Sequence, residues 1–256
     1  MVKLRSHEEI AKIRASAGLV AKTLRHLRDA ARPGVTTGEL DAMAEAFIRD
    51  NGGEPSFLGY LGYPATVCIS VNEEVVHGIP GGRVIRDGDI VGIDAGVVMN
   101  GYHGDAAITF AVGEVSEDVA RLLAVTEECL MRGIQAFREG NHIGDVGHAI
   151  QAHAETFGYG VVRTLVGHGI GEKLHEDPQV PNYGQPGEGP RIRPGLVCAI
   201  EPMITMGGWE VETLADQWTI VTKDRSLAAH YEHTVALTES GPEILSVVHN
   251  GATAAG

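Results

Sequence analysis

Four carboxylates and one imidazole stand in apolar or glycine-rich surroundings along this 256-residue chain: Asp94 in GIDAG, Asp105 in GYHGDAAITF, His168 in VGHGIG, Glu201 in IEPM and Glu232 in YEHT. Carboxylates in apolar strands repel one another and lose hydration, so a group of them needs a positive partner. The set is rich in oxygen and holds no thiolate. It therefore suits two divalent cations such as manganese, iron or cobalt better than a closed structural zinc site. Two metals about 3.5–4 Å apart can share and acidify a water and polarise a carbonyl, which is the chemistry of hydrolysis. Taken singly, each residue also has an ordinary reading. Asp94 and Asp105 fit the solvated face of a hairpin, and His168 fits a structural histidine.

The hairpin gives the clearest local geometry. Asn100-Gly101 is a two-residue turn between β-rich runs over 90–99 and 102–112. It sets Met99 opposite Tyr102, Gly96 opposite Asp105 and Asp94 opposite Ala107. The two aspartates then share one face, while Tyr102 and Ala106 turn to the other. The neighbouring glycines are expected to leave room for a ligand. His168 is expected to leave a strand for a glycine loop, and Glu201 to sit inside an apolar strand.

A first helix is predicted from about His7 to Ala31, capped by Ser6 with Glu9, its apolar stripe running from Ile10 to Leu27. A second, over about 38–50, follows the Thr36/Thr37 cap and ends in Asn51-Gly52-Gly53. After Ser116 the plan repeats: helices to about Arg138 and from Gly144 to about Phe157, then strands near Val161, Leu196, Trp218 and Ala229. Arg32, Gly34, Gly38 and Gly52 recur at one constant offset as Arg138, Gly140, Gly144 and Gly158. This spacing predicts an α+β body of two pseudo-symmetric halves, about 6–112 and 116–240, with sheets meeting at a pseudo-two-fold, helices outside and the site between them.

Composition narrows the function classes. With 20 basic and 34 acidic residues the formal charge is −14, which disfavours nucleic acid and anionic lipid as partners. No apolar run approaches the ~20 residues of a membrane span, and the mixed charges of MVKLRSHEEIAKIR do not read as a secretory signal. Cys68, Cys129 and Cys198 lack CxxC spacing, so a reduced, cytoplasmic setting is expected.

The segments GYPATVCISVNEEVVHGIP, GIDAG, GYHGDAAITF, GHGIGEKLHEDPQVPNY, IEPM and WTIVTKDRSLAAHYEHT, in this order, make nearly the whole chain resemble the type I methionine aminopeptidases. That family has the pita-bread fold shared with prolidases and creatinase. The resemblance implies a single catalytic domain over 1–256 holding two divalent ions, manganese, iron, cobalt or zinc. Asp94 would chelate one metal, Asp105 and Glu232 would bridge both, and His168 and Glu201 would complete the other. His77 and His175 would hold the scissile amide and the developing oxyanion, and Glu201 would also move a proton.

A methionine side chain would enter a pocket of Tyr60, Tyr63, Cys68 and Trp218, with Phe57 and Leu174 at more variable positions and Leu61 where bacterial members often carry histidine. Implied substrates are peptides and nascent chains beginning with methionine, with small second residues preferred. The implied protein is a monomer that associates transiently with the ribosome. The short run from His175 to Glu201 and the early first helix match the short bacterial form.

Three other functions are disfavoured. A proline-directed peptidase of the same fold usually carries a large domain ahead of the catalytic one. A metal-free binding relative would not need all five ligand types. A nucleotide binder is disfavoured because GHGIG is not GxGxxG. The chain also lacks a GxSxG elbow and an HExxH helix.

Overall fold

The computed structural model describes residues 2–248. Four helices lie outside one large and two small antiparallel sheets: α1 (His7–Ala30), α2 (Thr37–Asp50), α3 (Glu117–Ala136) and α4 (Ile143–Thr156). Ser6 caps α1 through a reciprocal pair with Glu9, and Ile13, Ala17, Val20 and Leu27 of its inner stripe are fully buried. Ser116 caps α3 in one direction only, its hydroxyl accepting the Val119 N–H.

The central sheet has nine strands. In its first half the hairpin Ile90–Met99/Tyr102–Ala111 is flanked by Glu54–Pro55 and Val67–Val71. In its second half Glu232–Thr238 carries Val197–Ile200, which leads to Gly167–Gly169 and Glu176–Val180, with Gly241–Ile244 branching from the same strand. The halves join along a single short seam, where Glu232 pairs with Ala107 and His233 with Ala106.

The repeated glycines do the same work twice. Gly34 and Gly140 have φ of 96° and 90°, and Gly52 and Gly158 have 79° and 73°, values that favour glycine after a helix or in a turn. α2 and α4 each have 14 residues. The residue before each forms an isolated bridge, Thr36 to Val84 and His142 to Arg191. Each backbone N–H there is also held by an acidic side chain one turn on, Glu39 at 2.8 Å and Asp145 at 2.7 Å.

Of the four apolar clusters among the described residues, the two largest follow this division. One centres on Ile48, Ile69 and Ile93 beneath α1 and α2, the other on Leu130, Phe137 and Ile150 beneath α3 and α4.

Two local expectations are corrected. His168 lies within the short strand Gly167–Gly169, because its glycines admit neighbouring backbone: a Cβ at Gly167 would stand 2.5 Å from the Ala199 carbonyl and one at Gly169 2.1 Å from that of Asp177. Glu201 lies outside its strand. Val197–Ile200 ends just before it, and after Pro202 the chain resumes in another sheet as Met203–Thr205. The strand expected near Trp218 runs over Ile220–Thr222, and the Trp218 N–H donates to Asp216.

Candidate active site

The sheet register assembles the site. The hairpin pairs as its turn predicts, Asp94 with Ala107 and Gly96 with Asp105, so both carboxylates rise from one face. Cys68 pairs with Asp94 on one side, and Glu232 pairs with Ala107 on the other. Cys68, Asp94 and Glu232 are thereby brought onto one transverse row. One step beyond the His233–Ile200 pair stands Glu201, and His168 lies across from Ala199 on the next strand. The seam between the halves is thus the line along which the donors collect.

The glycines beside the aspartates make space for protein, which corrects the expectation of ligand room. A Cβ at Gly96 would meet the Phe57 ring at 2.6 Å, and one at Gly104 would meet the Ala17 backbone of α1 at 2.3 Å. Close approach at these points fixes the hairpin against α1 and sets Phe57 against the cavity wall.

Asp105, His168 and Glu232 are buried, and ligating atoms from the three lie within 4.8 Å of one another. His168 Nε2 is 3.9 Å from Asp105 Oδ2 and 3.6 Å from Glu201 Oε1. Its Nδ1 is 3.0 Å from the Gly169 carbonyl, which makes Nδ1 the donor and leaves the Nε2 lone pair toward the carboxylates. Asp94 and Glu201 are half-buried.

Burial raises Asp94 to about 7. Asp105, Glu201 and Glu232 stand well above the ordinary carboxylate range, by burial first and then by repulsion among themselves. Burial and the nearby His175 push His168 down to about 3, keeping it neutral.

This donor set fits divalent cations. Asp94 Oδ1, Asp105 Oδ1 and Glu232 Oε1 are buried and have no hydrogen-bond partner among the described residues. Nor does any described lysine or arginine pair with the four carboxylates, whose nearest ring nitrogens belong to His168 and His230, both kept neutral by burial. Orphaned anionic oxygens converging on a neutral imidazole lone pair call for a positive ion from outside the chain.

The donors line a cavity of about 170 Å³. Every residue singled out in the sequence lines it: Phe57, Tyr60, Leu61, Tyr63, Cys68, His77, Leu174, His175 and Trp218 join the five donors. Tyr63 packs edge-on to Trp218 at 5.0 Å and donates to the carbonyls of Val67 and Gly78, so its hydroxyl is spent and its ring faces the recess.

His77 is held at φ 59°, in the left-handed region, with its ring 6.4 Å from Trp218 and its imidazole lowered to about 4 by burial. Strain at a non-glycine position facing a cavity marks a side chain aimed for use. His175, exposed at the mouth, takes the Tyr60 hydroxyl on Nδ1 at 2.7 Å and sits edge-on to His168 at 4.2 Å. Leu61, 80% exposed and at φ 50°, forms the outermost rim.

His230 escaped the sequence reading. It is buried, its Nε2 has no described partner, and it stands 3.8 Å from Glu201 Oε2. Thr109 fixes its backbone from both sides, at 2.7 and 3.0 Å. No spacing marked it, because it ends a strand of a three-stranded sheet whereas Glu232 opens a strand of the nine-stranded one.

Fold and donor set together define a metallohydrolase. The model of metallopeptidase family M24 matches residues 11–239, and the chain belongs to that family. It is 52% identical to a methionine aminopeptidase of Clostridium acetobutylicum over 248 residues, 96% of this chain and 99% of the relative. Its structure is similar to crystalline methionine aminopeptidase from Thermotoga maritima, with a TM-score of 0.95 and 44% identity, covering 96% of this chain and all of that one. Prolidase from Pyrococcus furiosus shares the fold at a TM-score of 0.79 and 23% identity, over 96% of this chain and 66% of its own. The fold is therefore the pita-bread fold. Among the described residues no helix is long and apolar enough to cross a membrane.

Proposed function

We propose that the protein is a methionine aminopeptidase, a single catalytic unit that removes the first methionine from peptides and nascent chains with small second residues. The observation that carries this reading is the composition of one cavity. Orphaned carboxylates and a neutral imidazole share its lining with Tyr63, Cys68, Phe57 and Trp218, a sulfur-friendly apolar surface. A free amino terminus is drawn to the anionic groups while its side chain packs against the apolar ones.

Asp94, Asp105, His168, Glu201 and Glu232 would together hold the two ions. The ions, when bound, polarise the scissile carbonyl and lower the pKa of a water. The chain's own groups do the rest. Glu201, half-buried beside His168, takes a proton from the attacking water and passes it to the leaving amine. His175, oriented through Tyr60, donates toward the carbonyl oxygen, and His77 lies along the amide nitrogen. Tyr63, Cys68 and Trp218 exclude water from the methionine side chain.

The neutral states that burial gives His77 and His168 match these roles, because a neutral imidazole can donate at one nitrogen and accept or ligate at the other. The reading also holds that the protein acts as a cytoplasmic monomer visiting the ribosome.

A release assay on peptides beginning Met-Ala, Met-Pro, Ala-Pro and Met-Leu, run with manganese, iron, cobalt and zinc in turn, tests the reading. Rapid release from Met-Ala with little from Met-Leu is expected. Turnover confined to Ala-Pro would make the protein a proline-directed peptidase instead.

A further inference from the structure

The loop that joins His168 to the strand Glu176–Val180 brings Leu174 and His175 to the cavity. It is fastened by a side chain from the opposite end of the chain. Arg5, only 7% exposed, sends Nη2 to Glu176 Oε2 at 2.5 Å and Nη1 to Glu172 Oε2 at 3.3 Å, so its guanidinium grips the acidic residues on both sides of Leu174-His175. The other oxygen of Glu176 takes the Lys173 N–H at 3.0 Å, closing the loop on itself.

The guanidinium packs against Gly171, where a Cβ would stand 2.2 Å from Nη2 and push it aside. Arg5 is itself immobilised. Its N–H donates to the Gly195 carbonyl at 2.7 Å, and Glu9 of α1 accepts from Nη1 at 3.3 Å while also taking the Tyr102 hydroxyl at 3.1 Å.

We infer that Arg5 is a positioning residue: by clamping Glu172 and Glu176 to the start of α1, it holds the His175 imidazole where it meets the peptide carbonyl. A fork of rigid donors suits this task, since each carboxylate is held in direction as well as distance. Lysine has a single ammonium, which cannot hold both loop carboxylates in fixed directions at once. The role assigned to His175 rests on the function proposed above, whereas the clamp itself does not.

Two measurements separate these layers. Hydrogen exchange over residues 170–176 reads the clamp without substrate: Arg5→Met should speed exchange there by at least about tenfold while the hairpin 90–111 stays protected. Unchanged protection of the loop would overturn the clamp, even if the protein cleaved no peptide at all.

A double-mutant cycle in kcat on Met-Ala-Ser then reads the positioning. Arg5→Met should lower kcat about tenfold in the native background and leave it nearly unchanged in His175→Ala, with Arg5→Lys intermediate. An equal loss in both backgrounds would show that Arg5 serves stability alone. Glu176→Gln, which keeps shape and removes charge, gives the same cycle should Arg5→Met fold poorly.

Discussion

Two clusters of carboxylates, one around Arg5 and one at the seam of the central sheet, are solved differently. Around Arg5 the acids have a cation of their own: Lys3 and Arg5 lower Glu172, and the Ser6 N–H holds Glu9 down to about 2. Around the seam, Asp94, Asp105, Glu201 and Glu232 have none, and burial drives all four upward. The difference separates a structural charge cluster from a functional one. Where the chain supplies the counter-charge, the acids hold a loop in place; where it omits it, the acids are kept for an ion that arrives from solution.

Removing one acid from the second cluster should have the largest effect. Asp94→Asn or Glu232→Gln should cut turnover of Met-Ala-Ser by at least about a thousandfold with the fold retained, checked by steady-state kinetics beside circular dichroism. Near-normal turnover by either variant would erase the contrast drawn above. His77→Ala comes next. It should lower kcat about a hundredfold while metal content, read by atomic emission, is unchanged. Loss of metal would instead make His77 part of the donor set.

The stability of the metal-free protein sharpens the comparison. Glu176→Gln strips a charge partner from buried Arg5 and should cost about 3 kcal/mol. Glu232→Gln relieves repulsion and should raise Tm. Calorimetry at pH 8 gives both signs, and a loss in both cases would mean that the two clusters are held alike.

Opposite pH dependence should follow. Asp94 is raised from 3.8 to about 7, so the folded metal-free protein binds more protons than the unfolded chain between those values. That contribution is complete below pH 3.8 and is lost as pH rises through about 7. Glu9 is lowered from 4.5 to about 2, so its contribution is present above pH 4.5 and lost as pH falls through about 2. Metal-free Tm should therefore increase from pH 8 to pH 5 and fall in stronger acid. The smallest effect is expected for Tyr60→Phe, which removes one hydrogen bond to His175 and should lower kcat several-fold.

Much of this was legible in the chain because the decisive geometry is local or periodic. The Asn100-Gly101 turn fixes the register of the hairpin residue by residue, and that register alone puts Asp94 and Asp105 on one face. The repeated glycines mark the ends of paired helices because those backbone conformations admit few other residues.

What the chain did not disclose depends on contacts distant in sequence. The strand ending at Ile200 and the placement of His230 follow from pairing between sheets, and the glycines beside the aspartates proved to admit Phe57 and Ala17. Arg5 reads as one more charge in a mixed amino terminus. Its loop partners lie more than 160 residues away, and nothing in their spacing links them.

The most direct test is an anomalous difference map from crystals grown with manganese. Two peaks between Asp94, Asp105, His168, Glu201 and Glu232 are the expected result. A map without a peak among these five side chains, at manganese levels that support peptide release, would contradict the account.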